Sequence, residues 1–176
     1  MNIINHKNRA LMRRPVILAA VLFLLLSCEE ETGSSAALYG VWVSEFLVQE
    51  TGEKFVTQID VSQTKVKYHG SYEAEIVNSP DFYNEYGYLI LKFTKYADFG
   101  GEPSTTHANT GKYGALYWKD LAPASVYLAD AYTGYTHELK TSYEEAVAAF
   151  TNNAAATFVN WSITSPYAKK SEYPFE

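Results

Sequence analysis

The chain has 176 residues, enough for one domain and a leader, and its 47% hydrophobic content is ample for a packed core. A formal net charge of −6 argues against partners that attract basic proteins, nucleic acid above all. With a single cysteine, Cys28, the chain has no internal disulfide to make.

Lys7, Arg9, Arg13 and Arg14 form a basic head, followed by the uninterrupted apolar run VILAAVLFLLL, residues 16–26. That run is too short for a membrane-spanning helix, which needs about 20 residues. It has the dimensions of the apolar region of a signal peptide. It ends in Leu25-Leu26-Ser27-Cys28, which resembles the lipobox of bacterial lipoproteins: leucine at −3, a small residue at −1 and cysteine at +1. Leu26 stands at −2, where a small residue is more usual. The resemblance implies that residues 1–27 are a lipoprotein signal peptide and that Cys28 carries a thioether-linked diacylglycerol. Cleavage would then free the Cys28 amine for a further acyl chain. Two or more acyl chains anchor a protein stably, where one holds it marginally. The expected address is the bacterial cell envelope, at the periplasmic face or the cell surface.

Past Cys28 there remain ten lysines, no arginine and all 20 acids, a formal charge of −10. No nucleic-acid partner is expected for such a domain, and its contact with the membrane should come through the lipid anchor alone. Residues 28–37 (CEEETGSSAA) read as a flexible tether, and residues 38–176 as the folded domain.

Strand texture begins there: short segments rich in Val, Ile, Thr, Tyr, Phe and Trp, divided by turn residues. Residues 40–50 (GVWVSEFLVQE) place Trp42, Phe46 and Val48 on one face. A turn at Thr51-Gly52-Glu53 leads to residues 55–61, with Phe55, Ile59 and Val61 on the dry side and Gln58 and Asp60 on the wet side. Residues 64–68 and 71–77 form a pair meeting at His69-Gly70, with Tyr72, Ala74 and Ile76 inward. Residues 78–87 are a loop, and residues 88–96 a strand burying Leu89, Leu91 and Phe93 opposite Lys92. The long stretch 97–112 is the expected mobile lid or contact surface. Residues 113–120 and 125–132 make another pair, with Leu116, Trp118, Val126 and Leu128 inward.

The period changes once. Tyr143, Ala146, Val147 and Phe150 recur at helical spacing, and Ser142 with Glu145 gives a capping box. This predicts a short amphipathic helix over 142–150, lying on the barrel or across one mouth. Residues 158–163 (FVNWSI) are the expected last strand. About eight short, sequentially neighbouring strands predict an all-β, mainly antiparallel barrel whose interior is filled or holds one small ligand.

Gly40-Val41-Trp42 resembles the G-x-W motif of lipocalins and related calycins, as does the meander followed by a helix and a short strand. The resemblance implies a lipocalin-like up-and-down β-barrel with one short C-terminal helix, in which the tryptophan closes one end. That family stacks a late arginine on the tryptophan. Here the candidates are Lys140, Lys169 and Lys170, and lysine lacks the planar group that stacks. Residues 113–132 (YGALYWKDLAPASVYLADAY), residues 141–151 (TSYEEAVAAFT) and the patch Tyr96-Ala97-Asp98-Phe99 are similar to small lipoproteins of spirochaetes such as treponemes, a resemblance that brings no activity with it.

Catalytic and metal constellations are not evident. His69, His107 and His137 show no metal-ligand spacing and read as turn, loop or surface residues. No G-x-S-x-G elbow orients a serine, which leaves a hydrolase as a distant third reading. Asp98-Phe99-Gly100 and Asn160-Trp161-Ser162 match kinase and glycosylation strings without their contexts. Neither metal nor cofactor is expected. Tyr83, Tyr86, Tyr96, Tyr113, Tyr132 and Tyr135 offer contact area for a protein or glycan partner. The leading expectation is a non-enzymatic, lipid-anchored module holding a small hydrophobic ligand among Trp42, Phe46, Tyr72, Leu91, Phe93, Trp118 and Leu128. The alternative is a barrel packed solid by those side chains, acting as a surface interaction or structural protein.

Overall fold

A computed structural model of the chain describes residues 36–47, 52–98, 101–133, 136–151, 159 and 165–171. Cys28 with its leader, Val48, Tyr135, the side chain of Phe46, and all of the expected strand 158–163 except Val159 lie outside the described residues.

The alternation read from the sequence produces strands β1 (Gly40–Leu47), β2 (Lys54–Val61), β3 (Lys65–Tyr68), β4 (Tyr72–Ile76), β5 (Gly87–Tyr96), β6 (Tyr113–Ala122) and β7 (Ser125–Asp130). A two-stranded ribbon, β8 (Tyr132–Thr133) with β9 (Thr136–His137), follows, then helix α1 (Tyr143–Ala149) and strand β10 (Pro166–Ser171). Eight of these strands close a barrel in the order β1-β10-β7-β6-β5-β4-β3-β2, every pair antiparallel. Among the described residues the fold is the expected all-β barrel with one short helix.

The barrel closes through a segment that was not expected to be a strand. Residues 166–171 (PYAKKS) carry two lysines and one inward aromatic, Tyr167, so their side chains give little strand signal. Their backbone supplies the ladder instead, pairing Trp42 with Lys169 on one side and Val126 with Tyr167 on the other. Pro166 sits at the first position of the strand, where a missing N–H is tolerated.

Inward rows form one core cluster that includes Trp42, Ile59, Val61, Val66, Tyr72, Leu91, Phe93, Trp118 and Leu128. Phe55 departs from expectation: it is 47% exposed, because β2 pairs with β3 only over residues 59–61 and so runs past the barrel wall at its start. A second cluster lies outside the barrel, where Ile90, Ala115 and Tyr117 are covered by Ala146 and Phe150. The helix therefore lies on the outer face of β5 and β6. Only part of its expected apolar face is buried: Tyr143 and Val147 are exposed. Ser142 caps it by accepting from the Glu145 N–H at 3.2 Å, while the Glu145 carboxylate accepts from the N–H and hydroxyl of Thr141.

Strand directions give the barrel two unlike ends. At the Trp42 end the chain enters across the mouth, and the Leu38 N–H donates to Phe82 O at 2.9 Å. The Trp42 indole donates to Leu38 O at 2.7 Å and the Trp118 indole to Asn84 O at 2.9 Å. Trp118 also lies against Gly87, where a Cβ would fall 2.3 Å from its ring. The other end, where β3 turns into β4 and β7 runs out, carries the polar groups.

Candidate functional site at the Asp130 end

Of the expected lining residues, Trp42, Tyr72, Leu91, Phe93, Trp118 and Leu128 all belong to the one core cluster. Trp42, Tyr72 and Leu91 are 0% exposed, enclosed by the other side chains of that cluster. The depth of the barrel around them is filled by their own side chains.

The inward row of β7 reads Val126, Leu128, Asp130, so the strand's alternation drives a carboxylate into the barrel. Asp130 is 6% exposed. A charge in such a place needs close polar partners to offset its lost hydration. The Tyr72 hydroxyl donates to Asp130 Oδ1 at 2.6 Å. His137 Nε2 lies 3.2 Å from Asp130 Oδ2, and the Tyr96 hydroxyl is hydrogen-bonded to His137 Nδ1. Burial, and after it the Asp130 charge, pushes the Tyr96 phenol up to about 12 and raises Tyr72 as well. Both phenols therefore stay protonated, and Tyr72 donates to the carboxylate. Where Tyr96 donates to Nδ1, the imidazole proton stands on Nε2, facing the carboxylate.

More tyrosines complete this end. Tyr132 stacks on His137 with centroids 4.6 Å apart, and Tyr68 packs edge-on against Tyr72 at 5.6 Å. Tyr167 accepts from the Thr57 hydroxyl at 3.3 Å. Burial first, and the Asp130 charge among the further causes, raises Tyr68, Tyr132 and Tyr167 as well. The long loop is pinned here instead of standing free. Tyr96 and Ser104 exchange backbone hydrogen bonds, the Gly111 N–H donates to Phe93 O at 2.8 Å, and the His107 ring lies 5.0 Å from that of Tyr96.

The histidines thus divide. His69 is an exposed turn residue, 2.8 Å from Asp60. His107 is half-buried, with its Nε2 3.3 Å from the well-exposed Asp98 carboxylate, a weak pair in water. His137 was expected at a turn or surface and is instead drawn into the barrel mouth, its side chain 13% exposed. Among the expected contact tyrosines, Tyr83, Tyr86 and Tyr132 are exposed, Tyr113 is half-buried and Tyr96 is buried. Asp130 was missed in the sequence, although the inward row of Val126 and Leu128 continues to it. His137 was missed too, because its ribbon belongs to no regular pattern.

The chain matches no family model, no curated protein and no solved structure. The geometry alone carries the reading. Among the described residues no group of three or more metal-ligating side chains converges, and no helix is long and apolar enough to cross a membrane. What converges is a hydrogen-bonded relay, Tyr96 to His137 to Asp130 to Tyr72, walled by aromatic rings at one end of an apolar barrel.

Proposed function

We propose that the chain is a lipoprotein of the bacterial cell envelope, akin to the small spirochaete lipoproteins, anchored by acyl chains on Cys28. Its lipocalin-like barrel is a non-enzymatic binding module for a small, largely hydrophobic ligand. The observation that carries this reading is the Asp130 network. A barrel built only to be stable gains nothing from a buried carboxylate, since apolar residues of similar volume serve at least as well. Buried titratable groups gathered at one mouth are the pattern of a recognition site. With the depth filled, the ligand sits at the Asp130 end, its apolar body against Tyr96, Tyr132 and Phe93. Hydrolysis is a poorer use of the same parts. Tyr96 occupies the nucleophile's place in a hydroxyl–imidazole–carboxylate order, yet it is held as a phenol well above neutral pH.

One observation favours a second reading. The complete burial of Trp42, Tyr72 and Leu91 suits a packed barrel that serves as a surface interaction protein with no small ligand. Native mass spectrometry of the full chain, purified in detergent from its own cells, separates the two. Retained small-molecule mass supports the ligand module, and its absence supports the packed barrel. Replacing Cys28→Ser tests the anchor: the protein is expected to leave the membrane fraction and to lose incorporated palmitate. A variant that stays membrane-bound would remove the lipoprotein assignment.

A further inference from the structure

Residues 77–86 join β4 to β5 at the Trp42 end of the barrel. Their backbone is tied down at three carbonyls. Phe82 O accepts from the Leu38 N–H at 2.9 Å, Asn84 O from the Trp118 indole at 2.9 Å, and Glu85 O from the Leu121 N–H at 3.0 Å. Side chains leave this pinned backbone in opposite senses. Phe82 is buried in the core cluster, whereas Tyr83 is 57% exposed and Tyr86 63%, the most exposed large hydrophobic side chain among the described residues. Tyr39, where the chain enters, lies 4.4 Å from the Phe82 ring and meets Tyr83 edge-on at 6.4 Å. Pro123 and Ala124 stand exposed on the β6–β7 turn close by.

This rim combines rings, hydroxyls and acids. Tyrosine, apolar in its body and polar at its tip, is the side chain of membrane–water interfaces. Asp81 and Glu85 are exposed beside the tyrosines. Their charge, like the −10 of the whole chain past Cys28, opposes anionic lipid and leaves ammonium-bearing, zwitterionic headgroups as the favoured ones. The covalent chain adds a second argument. Only ten residues separate Cys28 from Leu38, a reach of at most about 35 Å fully extended. Leu38 is fixed at this same end, its carbonyl accepting from the Trp42 indole at 2.7 Å. A surface held on so short a leash is met at an effective concentration of about a millimolar, which populates contacts too weak to form freely.

Resting on the reading of Cys28 as a lipid anchor, we propose that Tyr83 and Tyr86, backed by Tyr39, seat the Trp42 end on a bilayer surface of zwitterionic, ammonium-bearing lipids. The anchor holds the domain near the membrane, and the tyrosines orient it. The Asp130 end is thereby turned toward water, where a ligand reaches it.

The test places one nitroxide label on the full, acylated chain in phosphatidylcholine vesicles. With the Cys28 sulfur held in a thioether, the thiol of Tyr83→Cys, Tyr86→Cys or Tyr143→Cys is the one that reacts. Tyr143, 39% exposed on the helix at the side of the barrel, is the reference. Collisions with a water-soluble nickel chelate are expected to be several-fold rarer at positions 83 and 86 than at 143. Replacing phosphatidylcholine by phosphatidylglycerol is expected to restore them, as is Tyr86→Ser in the Tyr83→Cys chain. Equal collision rates at all three sites, in chains that float with the vesicles, overturn the seat and leave the anchor standing. Shielding as strong in phosphatidylglycerol overturns the headgroup assignment. A native chain that itself takes up the label has a free Cys28 sulfhydryl, and overturns anchor and seat together.

Discussion

Lys169 lies across Trp42 at the seam where the last strand meets the first, its ammonium 5.4 Å from the indole centroid. The two residues are register partners on β10 and β1. The lysine stem reaches the ring over Gly40, where a Cβ would fall 2.6 Å from Lys169 Cε and 3.0 Å from Ser171 O. The backbone there has φ +147°, a region that side chains strain to adopt. The glycine and the tryptophan of G-x-W thus form one seat, and the lysine stem fills it.

This seat predicts an order of stabilities. Gly40→Ala combines a clash with a disfavoured backbone and is expected to lose about 1–3 kcal/mol in urea unfolding. Lys169→Ala should lose about 1 kcal/mol, through the cation–ring contact and the buried stem. Lys169→Arg should hold native stability or exceed it, since a planar guanidinium stacks better. A Gly40→Ala barrel as stable as the native one would mean the seam is not packed this way.

At the other end, Tyr72 and Asp130 are expected to be strongly coupled. Tyr72→Phe removes a donor from a buried carboxylate and should destabilise by about 1.5–3 kcal/mol. Asp130→Ala strands the Tyr72 hydroxyl and His137 together and should lose about 3–5 kcal/mol. In the double variant the losses should fall well short of additive, because each partner has already lost the other. Additive losses in a double-mutant cycle would show that the 2.6 Å hydrogen bond contributes nothing.

Alkali should open the same end. Tyrosine ionises near pH 10 in an unfolded chain, while Tyr96 is raised to about 12 and Tyr68, Tyr72, Tyr132 and Tyr167 are raised too, burial leading in each. A raised folded value means the folded chain holds its protons longer. This contribution to stability is complete below about pH 10 and drains away as the pH climbs through the folded values. Unfolding free energy should therefore fall steeply above about pH 10, alongside the rise of tyrosinate absorbance. Asp130→Asn removes a charge that opposes ionisation, so tyrosinate should form at lower pH in that variant.

Two residues one turn apart on α1 and its C-cap should behave oppositely. Phe150 is fully buried against the outer face of β6, and Phe150→Ala is expected to destabilise by about 3–5 kcal/mol. Val147 is 45% exposed, and Val147→Ala should stay within about 0.5 kcal/mol of native. Thermal melts of the two variants suffice to tell. Similar losses would place the apolar face of the helix elsewhere.

The meander was legible because alternation is a local property: Leu89, Leu91 and Phe93, or Val126 and Leu128, announce a dry face with no knowledge of what lies opposite. The Ser142 cap was legible for the same reason, since both partners lie within one turn. Phe55 and Val147 were misjudged as inward because a dry face needs a neighbour to cover it, and where the barrel wall or the helix contact stops is not written in the spacing of one segment.

The sequence by itself determined strands β1 to β7, most of their inward rows and the helix after Ser142, since each follows from side chains a few residues apart. Only the tertiary structure decided which segment closes the ring. Residues 166–171 join β1 and β7 through backbone hydrogen bonds that almost any residues can make, so their side chains leave no mark of it. Tertiary structure also decided that His137 meets Asp130 seven residues away and Tyr72 and Tyr96 from other strands. A buried charge is tolerated only where partners distant in the chain converge upon it, and convergence is a property of the closed barrel.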